Sequence, residues 1–288
     1  MLEIKKILLP VDFPHASLSV LRQAAILAHH FHSEIVVLHV VPPLGHTVDL
    51  HDDSPRLTTS EMLARAVQQA QKNLDQSLGP EFDGLVIERV LATGDPARSV
   101  VRTAEEKGAD LIMMPSFGYT FSQFLLGSVT AKVLHGTECP VWTGAHVEEP
   151  PEQEFAIRNV LCAVDFKPHS HRTVTWAVNL AAEFGARLTL AHVTASVEVW
   201  GPGGTHVNPR CQDELVGAAN EHLAELQKTM GTDAEVLIAS GDVPKVLSEA
   251  VTQTKADLLI TGSRPYGGHL RTHGYAIICA VPIPVLSV

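Results

Sequence analysis

Short apolar runs alternate with segments of helical period along the whole chain. The first run, Ile7-Leu8-Leu9-Pro10-Val11, is continuous and stops at Asp12, the pattern of a strand buried on both faces. Leu18, Leu21, Ala25 and Ala28 then recur at helical spacing behind Ser17, which predicts a core-facing helix with Ser17 as its cap. Glu34 to Val40 predicts a second strand that Pro42-Pro43 closes. A polar loop carrying Asp52, Asp53 and Pro55 leads to a second helix from about Thr59 to Leu78. Leu85 to Leu91 reads as a third strand, and Gly94-Asp95-Pro96 opens a third helix with its proline suited to the first turn. Leu111 to Met114 predicts a fourth strand, Val129 to Leu134 lies in a fourth helix, and Pro140 to Trp142 forms a short fifth strand.

The pattern then starts again. Ile7–Val40 aligns without a gap on Val160–Val193, with eleven identities in thirty-four pairs, among them Val11-Asp12-Phe13 on Val164-Asp165-Phe166. Thr93-Gly94-Asp95 and Ala109-Asp110-Leu111 return as Ser240-Gly241-Asp242 and Ala256-Asp257-Leu258. Strands are expected at Val160–Val164, Arg187–Val193, Glu235–Ala239, Leu258–Thr261 and Pro284–Leu286. The stretch Glu148-Glu149-Pro150-Pro151-Glu152 reads as a linker. The expected division is a domain over 1–147, a linker over 148–156 and a second domain over 157–288.

Buried strands alternating with helices imply an α/β fold: two tandem, doubly wound, parallel five-stranded sheets with helices on both faces. The common strand order 3-2-1-4-5 makes strands 1 and 4 neighbours where the winding reverses, and their carboxyl ends form the usual ligand crevice. Asp12 and the loop leaving strand 4 at Pro115 then meet across a hundred residues of sequence. The brief last strands, ending Val141-Trp142 and Val285-Leu286, are candidates for a contact that pairs the halves as an internal pseudo-dimer.

Composition narrows the partners. With 21 Lys and Arg against 32 Asp and Glu, the net charge is −11, which argues against DNA or RNA. No apolar stretch approaches the ~20 residues of a membrane span. Lys5-Lys6 and the run behind them end too soon at Pro10 and Asp12 for a signal peptide. A cytoplasmic protein is expected. Cys139, Cys162, Cys211 and Cys279 show no zinc-type or Cys-x-x-Cys spacing, so free thiols are expected.

Candidate chemistry gathers after strand 4. Gly118 and, further on, Gly127-Ser128-Val129 at a helix start can seat a phosphate on free backbone N–H groups, with the Ser128 hydroxyl as an extra donor. The same residues also fit a plain turn and helix cap. Asp12 can accept hydrogen bonds from ribose hydroxyls, or brace the turn that follows it. His46, Asp49, His51, Asp52 and Asp53 crowd one polar loop without a rigid element to make them a metal site. His39 and His192 recur at matched strand positions and read as structural or pocket-lining. No Ser-His-Asp site and no nucleophile elbow is visible, and the Ser-Gly-Gly-x-Asp and His-x-Gly-His motifs of adenylyl-transfer enzymes are absent.

Taken together, Pro10-Val11-Asp12, Leu38-His39-Val40, Gly94-Asp95-Pro96-Ala97, Ala109-Asp110-Leu111-Ile112 and Gly118... Gly127-Ser128-Val129 resemble the universal stress protein family, across nearly all of both halves. Nucleotide-binding members hold ATP with Gly-x-x-Gly, a gap of about nine residues and Gly-Ser or Gly-Thr. The resemblance therefore implies phosphate contacts at Gly118, Gly127, Ser128 and Val129, ribose or adenine contact at Asp12, and Val40 lining the adenine pocket. Pro10 and Met114 complete that expected lining. Pro115 stands where the family has its first glycine, and Gly262-Ser263-Arg264-Pro265 followed by Gly274-Tyr275 departs further. The second half is expected to be degenerate for ATP. Its loop carries Arg264, His269, Arg271 and His273 between Gly262 and Gly274, as either a solvated surface or part of a remodelled anion site that would include Asp165. The expected function is a non-catalytic, cytoplasmic stress-response protein regulated by ATP or another adenine nucleotide in the first domain, with Mg allowed and no dedicated metal site. An unknown protein partner and a homodimer are compatible with it. The alternatives are an interaction module that binds no nucleotide and a slow ATP hydrolase.

Overall fold

The computed structural model describes residues 2–13, 17–43, 59–76, 78–116, 126–145, 155–196, 198–201, 204–207, 209–262 and 272–288. They divide into two compact units, one holding Glu3 to Trp142 apart from Leu126, the other holding Thr143 to Val288 with Leu2 and Leu126. Residues 148–154 of the expected linker lie outside the described residues.

The first half runs β1 (Lys6–Pro10), α1 (Leu18–Phe31), β2 (Glu34–Val41), α2 (Thr59–Asp75), β3 (Ile87–Thr93), α3 (Pro96–Lys107), β4 (Leu111–Met114), α4 (Ser128–Gly136) and β5 (Val141–Thr143). Its strand order is β3-β2-β1-β4-β5, and β1 pairs in parallel with both β2 and β4. The second half runs β6 (Asn159–Ala163), α5 (Ser170–Phe184), β7 (Arg187–Thr194), β8 (Glu198–Gly201), β9 (Gly204–Val207), α6 (Pro209–Met230), β10 (Glu235–Ser240), α7 (Val243–Thr254), β11 (Leu258–Thr261), α8 (Thr272–Ala280) and β12 (Val285–Ser287). Its order is β10-β7-β6-β11-β12. Both sheets thus realise the 3-2-1-4-5 winding.

The apolar runs become the core. Ile7, Leu8, Ile35, Leu38, Ile112 and Met113 are fully buried in the first half, as are Leu161, Cys162, Leu190 and Ile260 in the second. Burial of each such side chain contributes about 1.5–3 kcal/mol, which is why the runs are continuous rather than alternating. Between β5 and α1, the buried Trp142 donates its indole N–H to Gln23 Oε1 at 2.8 Å. All four cysteines are free; burial pushes the Cys162 thiol up to about 12.

Four aspartates of the repeated motifs turn out to be backbone acceptors. Asp110 Oδ2 takes the N–H groups of Lys5 and Lys6 at 2.8 and 2.9 Å. Asp257 Oδ2 does the same for Arg158 and Asn159, both at 2.8 Å. Each ties the entrance of the central strand to the strand beside it. Asp95 caps α3 through the Arg98 N–H at 2.9 Å, and Asp242 caps α7 through Lys245. The preceding Gly94 and Gly241 have φ of 130° and 142°, a region other residues rarely enter.

Some details differ from the sequence expectation. β3 starts two residues later than the apolar pattern suggests, and α2 ends at Asp75. Ser17 occupies the cap position of α1, yet its side chain makes no capping bond and its Oγ meets Ser19 Oγ at 3.1 Å instead. The antiparallel β8–β9 hairpin between β7 and α6 was not expected from the sequence.

Replacing Asp110 by Ala strands two N–H groups and should cost about 1–3 kcal/mol, read as a lower urea midpoint; an unchanged midpoint would show that water replaces the carboxylate freely. Cys162 should resist alkylation at pH 8 in the folded chain and react once the protein is unfolded, as mass spectrometry of digested samples would show.

Candidate functional site

The carboxyl end of β1 is held by an imidazole. His39 Nδ1, on β2, lies 2.8 Å from the Val11 carbonyl. A carbonyl only accepts, so Nδ1 carries the proton. The same ring stacks on Phe13 with centroids 4.6 Å apart. His39 therefore grips the residues on either side of Asp12. Asp12 is exposed, and among the described residues no hydrogen bond or ion pair reaches its carboxylate. Pro10 and Val40 are half-buried beside it, and Met114 is buried at the end of β4.

From β4 the chain leaves through Pro115 and the buried Ser116. Gly127 N–H donates to the Ser116 carbonyl at 3.0 Å, and Thr130 Oγ1 donates to the Pro115 carbonyl at 3.0 Å. These two bonds seat the start of α4 on the end of β4. The first helical bond runs from Ala131 N–H to the Gly127 carbonyl at 2.8 Å. Ser128, Val129 and Thr130 therefore have N–H groups with no acceptor inside the helix, and among the described residues no side chain caps them. Ser128 is exposed and Gly127 is buried. Such a helix start favours an anion. Pro115 is compatible with this geometry, because α4 docks on its carbonyl. Gly262, at the matching place in the second half, has no positive φ, so a left-handed turn is not required there. Gly118 lies outside the described residues, as do His46, Asp49, His51, Asp52 and Asp53. Among the described residues no cluster of His, Cys, Asp or Glu could hold a metal.

The second half repeats the histidine grip and changes what it holds. His192 Nδ1 donates to the Val164 carbonyl at 2.7 Å and stacks on Phe166 at 4.2 Å. Phe166 has φ 56°, a left-handed conformation that costs a bulky residue about 1–2 kcal/mol. His222 on α6 packs within 5.1 Å of the same ring. Asp165 accepts from Ser170 Oγ at 2.8 Å and from Lys167 N–H at 3.2 Å, with Lys167 Nζ also at 3.2 Å. Partial burial pushes the Asp165 carboxyl up, but the Ser170 hydroxyl, the Lys167 N–H and the Lys167 ammonium together outweigh it and hold the group below the usual carboxylate range.

The glycine loop of the second half also needs a correction. Thirteen residues, 115–127, separate β4 from α4, whereas ten, 262–271, separate β11 from α8. The two helices are both nine residues long and both stand four residues before the last strand. Thr272 is therefore the counterpart of Ser128, and Arg271 of Gly127. Gly274 and Tyr275 lie inside the first turn of α8, not ahead of it. Gly262 is exposed at the end of β11; Arg264 and Arg271 lie outside the described residues. Thr130, Ser170 and Lys167 were not expected to matter. The signal for Lys167 was present, as the one difference that follows Val-Asp-Phe directly: Pro14 in one copy, Lys167 in the other.

Known proteins match this arrangement. The universal stress protein family profile covers residues 3–143 and again 156–288. A universal stress protein of Methanocaldococcus jannaschii, MJ0531, is 34% identical over 138 residues, 48% of this chain and 79% of that protein. The crystal structure of a universal stress protein from Archaeoglobus fulgidus superposes with a TM-score of 0.75 at 23% identity, covering 98% of this chain and 97% of its own. A universal stress protein solved in complex with cAMP is 24% identical and covers 46% of this chain and 97% of its own, with a TM-score of 0.37. Two matches of one family profile, end to end along a chain whose halves share one winding, make this protein a tandem member of the universal stress protein family.

Proposed function

We propose that this universal stress protein is a non-catalytic response protein whose first half binds one adenine nucleotide as a regulatory ligand. The supporting observation is the start of α4, where the N–H groups of Ser128, Val129 and Thr130 at the carboxyl end of β4 have no cap among the described residues, together with the carboxylate of Asp12, which has no partner among them. The helix start suits the phosphates; Asp12 suits the ribose hydroxyls; Val40 and Met114 offer apolar contact for the base, with Pro10 beside them. Gly118 belongs to the same proposed phosphate loop, and Mg is compatible with it. In this reading residues 1–147 form the nucleotide-binding domain, 148–156 a linker, and 157–288 a domain that keeps the fold. In this reading the nucleotide is held rather than turned over.

Denaturing freshly purified protein and identifying the released small molecules by mass spectrometry should yield an adenine nucleotide at one per chain. Gly127→Asp would put a carboxylate on the three orphan N–H groups. It should abolish ATP binding in calorimetry while leaving the melting temperature unchanged or slightly raised; ATP affinity equal to the parent's would remove the phosphate from this place. Asp12→Asn should weaken binding about tenfold, in line with a lost hydrogen bond to a charged acceptor. ADP accumulating from ATP in an Asp12-dependent way would instead point to hydrolysis.

A further inference from the structure

The two halves present one aspartate in two states. Asp12 follows a strand end held by His39 and has no partner among the described residues. Asp165 follows the equivalent strand end held by His192, yet its carboxylate receives a hydroxyl, a backbone N–H and an ammonium from its own loop. We infer that Lys167 and Ser170 act as internal ligands that close the second crevice, taking at Asp165 the place that ligand hydroxyls take at Asp12. The inference rests on the nucleotide reading of the first half.

Three independent features carry it. The donors on Asp165 are a hydroxyl and N–H groups, the chemistry a sugar hydroxyl offers to a carboxylate. The backbone is committed to this state: Phe166 sits at φ 56°, and its ring is held between His192 and His222, so packing sustains a conformation the chain would otherwise leave. The first copy cannot copy it. Its residue at the Lys167 position is Pro14, which has neither an N–H nor an ammonium to give. Phe13, in a 3-10 conformation, does not share the left-handed φ of Phe166. Ser17, the counterpart of Ser170, bonds to Ser19. The copies thus differ here, proline against lysine, and the exposed Asp165 has partners that no described residue gives Asp12.

The test compares the full chain with two variants, Lys167→Pro, which restores Asp-Phe-Pro, and the double variant Lys167→Ala/Ser170→Ala, which leaves the backbone unconstrained should the proline impair folding. Carbon-13 NMR of labelled aspartate, with the Asp165 signal assigned through Asp165→Asn, reads the carboxyl titration. It should rise toward an ordinary aspartate in the double variant, and an unmoved midpoint overturns the closure. AMP per chain is read by equilibrium dialysis. One in the parent and two in either folded variant supports the inference; two in the parent, or one in both parent and variants, overturns it. None in the parent but one in a variant supports the closure while removing the first-half reading, and none anywhere removes both.

Discussion

The carbonyl at the end of each central strand needs an acceptor's partner, and an imidazole supplies it. Val11 donates its N–H to Leu38 at 2.8 Å, but its own carbonyl points past the last pairing of β1. His39 satisfies it from β2 and braces Phe13 with the same ring. Without that bond the residue would leave a polar group poorly solvated at the sheet edge, at a cost comparable to a lost hydrogen bond. With it, Asp12 emerges at a defined point. At the other end of β1, Asp110 binds the entering backbone. The strand that positions the crevice is therefore pinned at both ends by side chains from its neighbours, and both pins recur in the second half.

Around that shared frame the halves diverge in their loops. In the first, two carbonyls at the end of β4 receive α4 through Gly127 and Thr130, and the first turn of the helix is left open to an anion. In the second, the corresponding loop is three residues shorter and Arg271 precedes the helix. Duplication preserved the parts that hold the sheet, because each satisfies backbone groups at the ends of a central strand. The loops beyond those pins are where the copies differ.

Much of the fold was legible because burial on both faces leaves a one-dimensional trace. Continuous apolar runs located β1, β2, β4 and their copies within a residue or two, and Gly-Asp-Pro marked the start of α3 through its turn chemistry. β3 was displaced because Leu85 to Leu91 keeps its apolar character on either side of the true start. The β8–β9 hairpin was missed because Gly201-Pro202-Gly203-Gly204 reads as a loop and its strands are four residues each. Gly274 was misaligned by letter. Counting back from Pro284, the fixed point shared with Pro140, gives the register the structure has.

The sequence alone determined the duplication, the winding and the residues brought to the crevice, since periodicity and repeat spacing are local properties that survive without coordinates. It also contained Pro14 and Lys167, the difference between the copies, without revealing its consequence. Which aspartate finds partners among the described residues was decided only by the tertiary structure. A carboxylate's partners depend on where a backbone bend aims it and on rings contributed from strands and helices far along the chain. Those separations of 27 residues from Asp165 to His192 and 57 to His222 close only when the sheet forms.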